Sequence, residues 1–239
     1  MKTKSKEEGK PLIILDFDGT LAPIVSTPKH ARATPYTLRK LQEFSKRADI
    51  IILTGRPRAF VKKQISNLRV RVIGIHGNRE KSGWKKGAGL FLLAKRKFNP
   101  MKGIMVEKKP MGFAVHYRNV AKSMQGKIER SIRIFTKTAN ATVVEGRKCF
   151  EFLPLGAKKK SDVLLEIIRR NKGRCVLFIG DDQSDAEAVH RAKQHGNFIG
   201  ILIKSNEVRA KGIRKINRRN LFSFMEDFIK KQEGVLAYD

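Results

Sequence analysis

Three short apolar runs constrain this chain more than any other feature, because each stops on residues that can do chemistry. Pro11–Leu15 leads into Asp16, Asp49–Leu53 into Thr54-Gly55-Arg56, and Val176–Ile179 into Gly180-Asp181-Asp182. Consecutive apolar residues without alternation read as strands buried on both faces, the mark of a parallel sheet covered by helices. In such a sheet ligands bind in the crevice at the carboxyl ends of the strands. The same runs therefore predict a fold and the place of its site.

The intervening segments agree. Thr34–Arg47 carries Leu38, Leu41 and Phe44 at helical spacing, with Thr34 placed to cap and Pro35 in the first turn. Pro57–Ser66 predicts a second helix and Val70–Ile75 a third strand, so the chain begins β-α-β-α-β. From Ser82 to Ala157 the pattern changes. Turns at Gly83, Gly87 and Gly89 lead into alternating segments at Ile104–Lys108 and Gly112–Tyr117. A helix at Ala121–Thr138 and strands at Thr142–Glu145 and Cys149–Leu153 follow, which predicts a small open sheet with a helix on one face. The β-α pattern then resumes with a helix at Ser161–Arg170, a strand at Arg174–Gly180, a helix at Asp185–Gln194 and a final strand at Phe198–Ile203. Leu221–Lys231 predicts a terminal amphipathic helix. The expected architecture is α/β: a Rossmann-like parallel-sheet core at 11–81 and 158–239, a small α+β cap inserted at 82–157, and a flexible tail at 1–10.

Composition narrows the classes. The 41% hydrophobic content fits a globular chain, and no apolar run is long enough to cross a bilayer. The apolar stretch after the basic N-terminus is too short for a secretory signal, which predicts a cytoplasmic protein. Cys149 and Cys175 have neither metal-ligand spacing nor a disulfide framework and are expected as buried free thiols. A net charge of +30 attracts anions, and both sugar phosphates and nucleic acids qualify. The basic residues are spread along the whole chain, however. Runs such as Lys158-Lys159-Lys160 have no interleaved aromatics on which bases would stack, so nucleic acid is set aside as the principal partner.

Asp16-Phe17-Asp18-Gly19-Thr20 is the sharpest motif. Two carboxylates one residue apart permit a division of labour, one attacking phosphorus and the other shuttling a proton to the leaving oxygen. A calcium loop would need further oxygen ligands downstream, and Leu21-Ala22-Pro23-Ile24 supplies none. In Gly180-Asp181-Asp182-Gln183-Ser184-Asp185 the clustered carboxylates repel one another unless a cation neutralises them. Oxygen ligands without His or Cys argue for Mg²⁺ over zinc. The hydroxyl and amides of Thr54-Gly55-Arg56 suit a phosphoryl oxygen, and Lys159, just before a helix, offers a point charge to the same group.

The order of these motifs resembles the haloacid dehalogenase superfamily of phosphohydrolases. More narrowly, the chain is similar to the trehalose-6-phosphate phosphatase family. That likeness rests on Asp16–Ile24, Thr54-Gly55-Arg56, Ile75-His76-Gly77, Val106–Lys109, Ala114–Arg118 and Gly146–Glu151 with Pro154. The resemblance implies Asp16 as nucleophile and metal ligand, Asp18 as general acid/base and metal ligand through its carbonyl, and Asp181 as a third ligand for Mg²⁺. It implies that Thr54 and Lys159 hold phosphoryl oxygens, with Asp182 and Asp185 supporting the metal site. Arg56 either touches the phosphate or serves structurally, and is taken as substrate-binding. In the cap, Glu107, Lys109 and Glu151 match positions that bind sugar hydroxyls. Read without the family, Glu107 and Glu151 would be solvent-facing strand residues. Leu153 and Lys160 depart from the family pattern around the phosphate lysine, leaving open which of Lys158, Lys159 and Lys160 enters the site.

The activity so implied is hydrolysis of trehalose 6-phosphate through an aspartyl phosphate. A glucosylglycerol-phosphate or mannosyl-3-phosphoglycerate phosphatase is the alternative within the class. A nucleic-acid-binding protein on a phosphatase scaffold is the alternative outside it. The expected partners are a small sugar phosphate and the synthase that makes trehalose 6-phosphate, with no membrane partner and a monomeric chain.

Overall fold

The computed structural model describes residues 9–79, 84, 87–208 and 210–234. Most of the expected tail at 1–10, the expected boundary at Ser82 and the turn at Gly83 lie outside the described residues. The chain divides into two compact units, residues 1–76 with 160–239 and residues 77–159.

The first unit is built on six strands: β1 (Leu12–Leu15), β2 (Asp49–Leu53), β3 (Val70–Ile73), β8 (Val176–Gly180), β9 (Phe198–Ile203) and β10 (Arg214–Ile216). They lie in the order β10-β9-β8-β1-β2-β3, every neighbouring pair parallel. The chain runs outward from β1 through β2 and β3 on one side and from β8 through β9 and β10 on the other. The order therefore reverses between β1 and β8, the place where such sheets bind ligands. Ile13, Leu15, Ile50, Ile52, Leu177 and Ile179 point to one face, against α1 (Pro35–Phe44) and α7 (Leu221–Gln232). Leu12, Ile14, Ile51, Leu53, Val176 and Phe178 point to the other, against α5 (Lys160–Arg170) and α6 (Gln183–Ala192). The continuous apolar runs thus have the two-sided burial they predict. Thr34 caps α1 as expected, its Oγ1 accepting from the Thr37 amide at 3.1 Å, with Pro35 in the first turn.

Two expectations for this unit need correction. Phe198–Ile203 is not the final strand: β10 follows it, pairing with β9 from Arg214↔Ile201 to Ile216↔Ile203. Its three residues, two of them basic, carry no apolar run to announce them. The second helix, α2, is only Arg58–Lys62.

The second unit is a four-stranded antiparallel sheet in the order β4-β5-β7-β6: β4 (Met105–Lys109), β5 (Gly112–His116), β7 (Cys149–Leu153) and β6 (Thr142–Gly146). Register puts Val106, Phe113, Val115, Phe150, Phe152 and Val143 on one face, where they pack against α4 (Lys122–Thr138) and α3 (Ala88–Phe98). Helix α3 was not expected. Gly87 at its N-cap and Gly89 in its first turn read as turns, but Leu90, Phe91, Ala94 and Phe98 recur at helical spacing and pack into this core, which outweighs the weak helix propensity of glycine. Asn78 ties the ends of the unit together, its Nδ2 donating to the Lys158 carbonyl and its Oδ1 accepting from the Lys158 amide, both at 2.9 Å.

Candidate active site

The carboxyl ends of β8, β1 and β2, three adjacent strands, carry the predicted groups. The Asp16 amide still donates to Ile179 at 2.9 Å, so Asp16 leaves β1 level with the end of β8, where Asp181 stands. Side-chain oxygens of Asp16, Asp181 and Asp185 lie within 4.8 Å of one another, and all three residues are buried.

Two glycines make this approach possible. A Cβ on Gly19 would stand 2.0 Å from Asp181 Oδ2, and its φ of +83° is one that side chains resist. A Cβ on Gly180 would stand 2.2 Å from the Asp185 carboxyl carbon. Asp185 is wholly buried in the first turn of α6 and splits its work. Its Oδ2 accepts from the Asp181 and Asp182 amides at 2.9 and 3.1 Å; its Oδ1 accepts from Lys160 Nζ at 2.6 Å. Asp182 completes a capping box by accepting from the Asp185 amide. Burial, then Asp185, push the Asp182 carboxyl up to about 7.

Lys160 is the lysine that meets Asp16. Its ammonium lies 2.8 Å from Asp16 Oδ1, and its side chain is 2% exposed. Lys159, expected in that place, is half-buried and belongs to the other unit. Helical spacing explains the choice: α5 buries Lys160, Leu164 and Ile168 in steps of four, and Lys159 lies off that stripe. Burial opposes the charge on Lys160, but Asp16 and Asp185 hold its pKa well above the ordinary lysine value. For Asp16, burial pushes the carboxyl well above the usual range, Lys160 pulls it back, and Asp185, Asp182 and Asp18 add to the upward push.

Asp18 is half-buried, and both its oxygens are engaged. Arg56 Nε and Nη2 donate to Oδ2 and Oδ1, each at 2.7 Å, while the guanidinium stacks 4.7 Å over Phe60. Arg56, expected to face the substrate, is turned onto Asp18. Thr54 is buried at the end of β2 with its Oγ1 accepting from the Arg56 amide at 3.1 Å. Sequence reasoning passed over Arg218, whose guanidinium donates to the Thr20 and Leu21 carbonyls at 3.1 and 3.0 Å and fixes the loop after the Asp16 motif. A lone arginine nearly 200 residues from the loop carries no sequence signal for that contact.

These residues fit a hard divalent cation. The converging donors are all carboxylate oxygens, buried where their charge is poorly solvated, and the Lys160 ammonium is too little to balance three of them. The Thr20 hydroxyl is a further buried oxygen in the same loop without a hydrogen-bond partner.

In the second unit, Glu107, Ala114 and Glu151 are register partners across β4, β5 and β7. Glu107, Lys109 and Glu151 therefore share the sheet face opposite the helices. Glu151 is 7% exposed and Glu107 half-buried, so neither is the solvent-facing strand residue that alternation alone suggests. Lys109 Nζ lies 3.1 Å from Glu151 Oε2, and His116 Nε2 lies 2.9 Å from Glu107 Oε2. Burial pulls the His116 pKa down, but the Cys149 sulfur and the Glu107 carboxylate outweigh it and raise it to about 9. Cys149 and Cys175 are not joined in a disulfide, as expected, and are half-buried rather than buried.

The family description Trehalose-phosphatase matches residues 14–220, from the apolar run before Asp16 to the start of α7. The chain belongs to the trehalose-phosphatase family. The trehalose-phosphate phosphatase of Mycobacterium tuberculosis (strain H37Rv) is 29% identical over 205 residues, 78% of this chain and 52% of that protein. That of Mycobacterium ulcerans is 27% identical over 216 residues, 83% of this chain and 55% of that protein. The chain thus spans about half the length of the curated relatives it matches. Among solved structures, the C-terminal domain of Candida albicans trehalose-6-phosphate phosphatase superposes with a TM-score of 0.74 at 20% identity, covering 94% of this chain and 93% of that one. A haloacid dehalogenase-like hydrolase from Bacteroides thetaiotaomicron gives 0.58 at 14% identity, covering 92% and 99%. These likenesses show a haloacid dehalogenase-like fold, in agreement with the α/β architecture expected from the sequence.

Proposed function

We propose that the protein is a Mg²⁺-dependent phosphatase that hydrolyses trehalose 6-phosphate to trehalose and phosphate through an aspartyl phosphate on Asp16. The observation that carries this reading is the buried cluster of Asp16, Asp181 and Asp185 with Lys160 on two of its members. Asp16, Asp181 and the Asp18 carbonyl would hold the cation, which when bound neutralises charge on the phosphoryl oxygens. Asp16 attacks phosphorus, and the bond to the sugar oxygen breaks as Asp18 supplies the proton. Asp18 then takes a proton from the water that attacks the same phosphorus, releasing phosphate and restoring Asp16. The two Arg56 N–H groups hold the Asp18 carboxyl in place for both transfers, its remaining lone pairs being open to the proton. Thr54 and Lys160 hold the phosphoryl oxygens, Lys160 in the role expected of Lys159.

The sugar is assigned to the second unit. Glu107, Lys109 and Glu151 bring acceptors and a donor together on one sheet face, which suits a polyol recognised by its hydroxyls. Two thiols outside any disulfide fit a reducing, cytoplasmic setting. The test is phosphate release from a panel of sugar phosphates and an aryl phosphate, with and without Mg²⁺. Asp16→Asn abolishes turnover on every substrate. Glu107→Ala and Glu151→Ala cut turnover of trehalose 6-phosphate far more than that of the aryl phosphate; equal losses on both would overturn the sugar assignment, and turnover without a divalent cation would overturn the metal.

A further inference from the structure

The second unit carries an excess of positive charge that the proposed chemistry leaves unused. Residues 77–159 hold 20 Lys and Arg against five Glu, a net +15, half the charge of the chain in about a third of its length. The described glutamates are already engaged, Glu107 by His116, Glu151 by Lys109, and Glu129 and Glu145 by Arg133. Helices α3 and α4 cover the same face of the sheet and touch through Phe98 and Phe135, with ring centroids 5.4 Å apart. Their outer faces consequently look the same way, away from the sheet.

Those outer faces are apolar and basic at once. On α3, Ala94 and Phe98 are buried, whereas Leu92 and Leu93 are 62% and 59% exposed, with exposed Arg96 one turn beyond Leu92. On α4, Ile128, Ile132 and Phe135 are buried. The opposite stripe runs Lys127, Arg130, Ile134, Lys137, with Ile134 62% exposed. Isolated exposed leucines are ordinary, but Leu92, Leu93 and Ile134 stand exposed on two packed helices that also expose Arg96, Lys127, Arg130 and Lys137.

We infer that the α3–α4 face of this unit docks on a bilayer surface rich in anionic phospholipid. The cations match the headgroup phosphates, and Leu92, Leu93 and Ile134 are placed to enter the headgroup–acyl boundary. Aliphatic rather than aromatic residues between the cations favour lipid over nucleic acid, where stacking rings would be needed. No helix among the described residues is long and apolar enough to span a membrane, so the contact is peripheral. The sequence reading expects no membrane partner because it looks only for spanning segments.

The test is sedimentation of the full chain with vesicles of phosphatidylglycerol or of phosphatidylcholine. Binding to the first and not the second is expected, with part of it surviving about 0.5 M salt, where surface charge is screened. Replacing Leu92, Leu93 and Ile134 together by Ser lowers partitioning by about tenfold or more, with thermal unfolding and aryl-phosphate turnover unchanged. Lys127→Gln with Arg130→Gln and Lys137→Gln lowers it at low salt. Absence of binding to phosphatidylglycerol, or a serine variant that binds as well as the parent, overturns the inference. So does an oligonucleotide that displaces the chain from vesicles.

Discussion

Replacing Lys160 by Met removes one ammonium and little volume, and the geometry sets the size of the effect. Two charge-assisted hydrogen bonds, 2.8 Å to Asp16 and 2.6 Å to Asp185, disappear between side chains that are almost wholly buried. Breaking such a pair from one side costs about 3–5 kcal/mol, because the partner charges stay buried and uncompensated. For a protein of this size that lowers the melting temperature by roughly 10 °C. The loss carries a pH signature. The Asp16 carboxyl already sits well above the usual range, so its folded state binds a proton more tightly than the unfolded chain. Without Lys160 it rises further, so the deficit of the variant shrinks as pH falls and Asp16 protonates. Calorimetry in Mg²⁺-free buffer at pH 8 and pH 5 measures both. Phosphate release should be lost at either pH, and adding Asp185→Asn should restore much of the stability but none of the turnover. Lys159→Met should change stability by less than about 0.5 kcal/mol. A Lys160→Met protein that melts with the parent, or a Lys159→Met protein that loses as much, would refute the assignment.

Gly19→Ala puts a methyl against Asp181 and a side chain at positive φ; it should cost about 1–3 kcal/mol and weaken Mg²⁺ binding by titration calorimetry. Arg56→Ala removes the two-pronged contact that orients Asp18, so kcat should fall about 10- to 100-fold with KM little changed. A rise in KM alone would instead make Arg56 a phosphate ligand, and Arg56→Lys should rescue poorly because it cannot form the two-pronged contact. His116 has a folded pKa of about 9 against a reference of 6.5. Its stabilising contribution is therefore full below about pH 6.5 and lost as pH rises through 9. Melting of the second unit should follow that curve, and His116→Gln should flatten it.

How much was legible follows from where the information sits. β1, β2 and β8 could be read because strands buried on both faces are apolar throughout, and Asp16, Asp18 and Asp181 because they follow those strands directly. β10 and α3 could not: one is three residues long and the other begins among glycines, so tertiary packing decides both. Lys160 was hidden in a run of three identical side chains. Yet extending the buried stripe of α5 back one turn from Leu164 reaches it and not its neighbour. The pairing of Arg56 with Asp18 spans 38 residues and rests on the direction of a side chain, which no spacing rule supplies.

The two hydrogen bonds between Asn78 and Lys158 make the second unit a closed ring of chain. Closing a flexible loop of that length from the open chain costs about 4 kcal/mol in entropy. With entry and exit clasped by one amide side chain, β3 before the ring and α5 after it are joined as if by a short turn, whatever the ring contains. Sequence change inside the ring can remodel the face that carries Glu107, Lys109 and Glu151 without disturbing the order of strands that carries Asp16 and Asp181. The two units are then free to change at different rates within one polypeptide.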